Sequence, residues 1–334
     1  MKRKLLFVVS TRLGESLFAT PTIDVLSNEY DIYVYCVKNL EPIFRKYSFI
    51  KDVIPYPYSI ARKAIDIENN VEIMARLTKC FDHPQLIRSY IAWQDDQDAI
   101  DISSDSKYLQ FFEILPMESS LVLYTKHISR TRKIFLKLKL ATEEKLDFFD
   151  LRIRRLGYNK KQSTGTIVVN QGAFSDLRRL TDRTLINLAK KIPNAVFILH
   201  KETAERNFFK GTNIKYLISE PGTEKTLLNV ISLFESSPRC IITPDTGLAH
   251  LATAYEIPMI WLESWVDNRK VLEPQSMNNI KIYKKHNLTC LKNCNAKLRT
   301  ENWIHPDTLE CNFEIVSCLD LDKNNIEELL RLIP

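Results

Sequence analysis

Glycine is scarce in this chain: seven residues in 334, roughly a third of the ordinary share of about 7%. A chain so poor in glycine has no collagen-like or low-complexity character, and each remaining glycine marks a backbone position to examine. Long apolar runs are also lacking. The longest near the N-terminus, Leu5 to Val9, is far short of the ~20 residues a membrane-spanning helix needs. It also lacks the apolar core and cleavage site of a signal peptide, so export is not expected. Cysteine is present but odd in number, seven at uneven spacing, which suits reduced thiols or a metal site better than a secreted disulfide framework. A cytoplasmic protein is therefore expected. Acidic residues fall only slightly behind basic ones, 41 against 47, for a net charge of +6. That bias suits an anionic partner without naming one.

What is present is a soluble globular composition, 45% hydrophobic and 26% charged, long enough for two domains. The chain opens on a continuous apolar strand, Lys4–Val9, followed by a turn at Ser10–Gly14 and a helix with Leu17, Phe18, Ile23 and Leu26 on one face. Further strands are predicted at Ile32–Val37 and near Val53–Ile54. Between residues 58 and 150 the pattern blurs, with helical stretches at 60–78 and 107–115 and a strand at 98–102. A polar linker, Gly157–Gly165, precedes a second series. Its strands are predicted at 166–170, 195–199, 214–218, 240–242 and 258–262, alternating with helices at 182–191, 202–209, 227–235 and 248–255. Strand–helix alternation with buried apolar strands argues for parallel sheets in two α/β halves, and ligands of such sheets bind at the carboxyl ends of the strands.

Three segments carry the chemistry. In Thr243-Pro244-Asp245-Thr246-Gly247-Leu248-Ala249-His250 a strand runs through a turn into a helix of small residues. Asp245 or Thr246 would cap that helix, Gly247 would let a ligand approach the backbone, and His250 would lie one turn in. A helix start of this kind attracts anions such as a diphosphate. Read without any partner, the same residues describe a capped helix with a satisfied histidine. In Ser10–Pro21, Glu15 falls at the first strand-to-helix junction, where a carboxylate either serves a cleft or simply favours the helix N-terminus. In Asn170-Gln171-Gly172-Ala173, a glycine directly follows a strand and Arg178-Arg179 come six and seven residues later. Those arginines would clamp a phosphate, or form a solvated face.

Order and spacing of these segments resemble the bacterial heptosyltransferases, glycosyltransferase family 9, whose members have a Gly-Asp turn with Thr-Pro, an Asn-Pro-Gly-Ala-type turn with a basic residue, and Asp-Thr-Gly-x-x-His. Here the corresponding residues are Gly14-Glu15 with Thr20-Pro21, Asn170-Gln171-Gly172-Ala173 with Arg178-Arg179, and Asp245-Thr246-Gly247 with His250. The resemblance implies an α/β GT-B fold: two Rossmann-like domains with parallel sheets facing a central cleft. Residues 1–156 would bind the acceptor, 166–320 the nucleotide sugar, and 321–334 would form a C-terminal helix packing back on the N-terminal domain. It implies an inverting transfer of heptose from ADP-heptose to an inner-core lipopolysaccharide acceptor, without a cofactor or catalytic metal. Glu15 would be the general base. Arg178, Lys201, Glu202, Asp245, Thr246, Gly247 and His250 would bind the donor, and Arg12 with Arg130 and Lys133 the acceptor. A non-catalytic sugar-nucleotide-binding module, or a transferase with another donor or a protein acceptor, is the alternative. Glu15 stands where the family has Asp, Gln171 where it has Pro, and Glu263-Ser264 where relatives often have glycine.

Two further features stand apart. Residues 119–142 contain no acidic side chain but carry Lys126, Arg130, Arg132, Lys133, Lys137 and Lys139 among apolar residues. A basic amphipathic stretch suits an anionic glycolipid acceptor or peripheral contact with the inner membrane; its other reading is a solvated helix face. Nucleic acid is not expected, because the aromatic-plus-basic interleaving of single-strand binders is missing. Cys290, Cys294, Cys311 and Cys318 cluster near the C-terminus and would either ligate zinc or iron or remain structural thiols.

Overall fold

The computed structural model describes residues 2–9, 13–56, 85–88, 152–156, 163–172, 178–206, 209, 213–219, 224–264, 279–285 and 317–334. The chain divides into two compact units, with the boundary between Leu156 and Gly157.

The first unit is built on a parallel sheet. Strand β1 (Arg3–Val8) leads through helices α1 (Leu13–Phe18) and α2 (Thr20–Leu26) to β2 (Tyr30–Val37). Helix α3 (Glu41–Phe44) precedes β3 (Asp52–Tyr56), and β4 (Gln85–Arg88) completes the order β3-β2-β1-β4. The single helix expected after β1 is broken in two. Ala19 stands at the start of α2 without a capping side chain, and Pro21 in its first turn has no N–H to continue the preceding ladder. Ile32 and Val34 on one face of β2 and Tyr35 and Val37 on the other are fully buried, as a strand covered on both faces requires. Strand β4 was not expected, and the stretches at 60–78, 98–102, 107–115 and 119–142 lie outside the described residues.

The second unit has six parallel strands: β5 (Ile167–Asn170), β6 (Val196–His200), β7 (Lys215–Ser219), β8 (Cys240–Pro244), β9 (Met259–Glu263) and β10 (Ile280–Lys284). Helices α4 (Asp182–Lys191), α5 (Lys201–Glu205), α6 (Glu224–Glu235) and α7 (Gly247–Ala254) connect successive strands. The spatial order is β10-β9-β8-β5-β6-β7. Counted within the unit this is the order 6-5-4-1-2-3 of a dinucleotide-binding sheet, whose direction of winding reverses between its first and fourth strands. Here that switch point lies between β5 and β8, paired in register from Ile167↔Cys240 to Val169↔Ile242.

In the last helix, α8 (Lys323–Leu330), the buried Ile326 and Leu329 enter the core of the second unit with Leu185 and Leu188 of α4. The reason is polar as well as apolar. Thr184 Oγ1 accepts from Leu321 N at 2.8 Å, Thr181 Oγ1 donates to Asp320 at 2.7 Å, and Arg183 pairs with the same carboxylate. Asp322 and Asn325 close a capping box at the helix start.

Cys36, Cys240 and Cys318 are free and buried; the other three members of the C-terminal cysteine set lie outside the described residues. Burial pushes the Cys240 thiol up to about 11 and raises that of Cys36 further. Since the thiolate is the reactive form, alkylation by iodoacetamide at pH 8 should spare Cys36 and Cys240 in the folded protein. Peptide mapping should find them modified only after denaturation.

Candidate nucleotide site

The site begins with the end of β5. Val168 and Val169 are fully buried and fix the strand at the sheet centre, so Asn170-Gln171-Gly172 emerge at the switch point. Gly172 takes φ +131°, a conformation that L side chains rarely adopt, and a Cβ there would collide with the Arg178 carbonyl and stand 2.9 Å from Pro244 Cγ. The glycine expected to be special is therefore required. The chain leaves at Gly172 and returns at Arg179, with which Gly172 forms an antiparallel bridge; Leu180 N donates to Gln171 O at 2.8 Å.

Gln171 has a job that proline could not do. Its Oε1 accepts from His200 N at 2.8 Å, and its Nε2 donates to Thr203 Oγ1 at 2.7 Å. The side chain thereby ties the β5 turn to the start of α5. His200 adds a second tie, its Nε2 lying 3.0 Å from Gly172 O.

Beside this turn, β8 ends at Pro244 and α7 starts at Gly247. Thr246, not Asp245, is the helix cap: its side chain accepts from Ala249 N at 3.4 Å. Asp245 is freed for another role and stands between two basic side chains, with Arg178 Nη1 at 3.5 Å and His250 Nε2 at 3.6 Å. The side chains of Arg178 and Asp245 are 20% and 14% exposed, enough for a ligand to reach the guanidinium. His250 is different. Its ring is buried and packs edge-on against Trp261 at 5.6 Å, so it faces Asp245 from behind and is not presented to solvent.

On the β6 side, Lys201 and Glu202 open α5 and are exposed. Glu202 lies 3.9 Å from Arg179 Nη1, so the two neighbouring arginines serve different carboxylates. Arg178, Lys201, Glu202, Asp245, Thr246, Gly247 and His250 are thus all at the carboxyl ends of β5, β6 and β8. In the first unit Glu15 occupies the third position of α1, the helix after β1. Arg12, Arg130 and Lys133 lie outside the described residues.

Sequence reasoning missed Asn170 as a side chain. Buried at the end of β5, its Nδ2 donates to Thr243 Oγ1 at 2.9 Å and to Thr246 Oγ1 at 3.0 Å. The available signal was an amide closing an otherwise apolar strand.

This geometry has known counterparts. No protein-family model and no curated protein matches the chain by sequence. Solved structures do. ADP-heptose lipopolysaccharide heptosyltransferase II of E. coli aligns over 90% of this chain and 99% of its own, at 15% identity and a TM-score of 0.57. A family 9 glycosyl transferase from Veillonella parvula covers 99% and 97%, at 10% identity and a TM-score of 0.62. The fold is that of the GT-B glycosyltransferases. The E. coli heptosyltransferase WaaC with ADP is a third counterpart, covering 90% of this chain and all of its own at 13% identity and a TM-score of 0.55. At these identities the likeness concerns the fold.

Proposed function

We propose that the chain is an inverting glycosyltransferase, transferring heptose from ADP-heptose to an inner-core lipopolysaccharide acceptor. The observation that carries the donor half is the convergence of Arg178, Asp245 and the start of α7 at the sheet's switch point, where doubly wound sheets bind nucleotides. The first N–H groups of a helix have no intrahelical acceptor, and with the dipole they favour a diphosphate. Arg178 supplies a permanent positive charge beside them. Asp245 orients that guanidinium and is itself held by His250, so the histidine acts through the aspartate. Lys201 and Glu202, at the neighbouring strand end, flank the nucleoside.

Inversion requires attack from the face opposite the leaving group. A carboxylate base removes the acceptor hydroxyl proton as the oxygen bonds to the anomeric carbon. The bond to the diphosphate oxygen breaks, and the charge that develops on ADP is met by the α7 amides and Arg178. Glu15, in the first unit, is the base in this reading. The acceptor side is carried by the likeness of the sequence segments and by the basic stretch around Arg130 and Lys133, which with Arg12 would hold an anionic glycolipid at the cytoplasmic face of the inner membrane. In this reading that contact is peripheral; among the described residues no helix is long and apolar enough to cross a membrane. No cofactor is invoked.

The test is a donor screen across nucleotide sugars, reading released nucleotide with and without a heptose-deficient core acceptor. ADP release dependent on both substrates supports the proposal; nucleotide binding without turnover would instead favour a non-catalytic sugar-nucleotide module. Calorimetry addresses the cradle directly. Gly247→Val should weaken ADP at least about tenfold, ~1.4 kcal/mol, and unchanged affinity would move the donor site elsewhere.

A further inference from the structure

Asn170 is buried in the second unit, 3% exposed, and its side chain joins the central strand to the helix cap. Its amide orientation follows from its neighbours. Thr243 Oγ1 donates its single proton to Pro244 O at 2.9 Å, so toward Asn170 it can only accept. The atom facing it is therefore the amide nitrogen, 2.9 Å away. An NH2 group has two protons; the second goes to Thr246 Oγ1 at 3.0 Å.

The consequence falls on Thr246. A threonine hydroxyl has two lone pairs and one proton. One lone pair receives the Asn170 amide and the other the Ala249 backbone N–H at 3.4 Å. With both lone pairs engaged the hydroxyl is left as a donor only. Thr246 is partly exposed at the tip of α7, and among the described residues nothing takes that proton. An ionised phosphate is its natural complement, because phosphate oxygens accept and have no proton to offer at neutral pH. We propose that Asn170 is a positioning residue that fixes the Thr246 hydroxyl as an outward hydrogen-bond donor to a phosphate oxygen of the bound nucleotide. This rests on the diphosphate reading of the site.

The experiment is a calorimetric ADP titration of the full chain carrying Asn170→Leu, Thr246→Val, or both, with Tm recorded for each. Each single variant should bind ADP about tenfold more weakly, and the double variant should be no worse than either by more than about twofold, since both remove one interaction. Thr246→Ser should bind ADP like the parent, but should gain nothing over Thr246→Val when Asn170 is also replaced by Leu. A purely structural amide would lower Tm and leave ADP affinity in place, or give losses that add. Should Asn170→Leu fail to fold, Asn170→Asp keeps the shape while its carboxylate can only accept. The Thr246 proton would then turn inward and ADP would again bind at least about tenfold more weakly. A folded Asn170 variant with parental ADP affinity would overturn the proposal. Failure of the unaltered chain to bind ADP would be a separate result, removing the diphosphate reading and this proposal with it.

Discussion

Glu15→Gln should lower kcat by about 10²–10⁴, the usual cost of losing a general base, while ADP binds as before. Gln keeps the size and hydrogen-bonding reach of the side chain and removes the basic oxygen, so binding and catalysis separate. Glu15 lies in the first unit, within the opening turn of α1, whereas the residues proposed to hold the diphosphate lie in the second. Loss of turnover without loss of ADP affinity is thus the signature expected of a base that takes no part in holding the diphosphate. Glu15→Asp gives the residue of the resembling family and should retain substantial activity. Near-parental turnover by the Gln variant would take Glu15 out of the mechanism and direct attention to another carboxylate.

Gly172→Ala should be among the most damaging single-methyl changes in the second unit. The residue sits at φ +131°, and the added carbon meets backbone on one side and the Pro244 ring on the other. Neither is the free end of a flexible side chain, so relief requires moving the β5 turn or the end of β8. Strain of this kind costs about 2–4 kcal/mol, a fall in Tm of roughly 5–15 °C for a unit of this size. Because Pro244 immediately precedes Asp245, ADP affinity should fall with it. A Tm within 2 °C of the parent, a difference too small for about 1 kcal/mol of strain, would show that the turn can relax.

Much of the second unit was legible because its central strands are largely buried and nearly free of polar residues: Ile167–Val169 and Cys240–Ile242 announce themselves by apolar runs. The expected helix at 182–191 matches α4 residue for residue, since Thr181 caps it by accepting from Thr184 N and two lysines close it. Of the four edge strands, β3 and β7 were legible, but β4 and β10 were not. Ile280–Lys284 buries only Ile280 and Tyr283 and carries exposed lysines at 281 and 284, a common device on sheet edges that dilutes the apolar signal. Gln85–Arg88 is only four residues with polar ends. At the site, the positions of Asp245 and His250 along the chain could be read, but not that the histidine lies buried behind the aspartate. Nor could the partners of Asn170, 73 and 76 residues away, be read from a local pattern, because only the sheet order brings β8 against β5.

That same separation sets a schedule for synthesis. Strand β5 is the sheet's founding strand, yet its neighbour β8 follows only after β6, β7 and three helices have been made. Closing such a long loop carries an entropic cost that no local contact offsets beforehand. A ribosome that has released only Gly165–Ser219 therefore exposes one flank of β5 and an Asn170 amide with neither threonine partner. Under the proposed function, the nucleotide site is complete only once Cys240–Ala254 has joined β5, so bound nucleotide would stabilise the finished sheet and would not template its first strands.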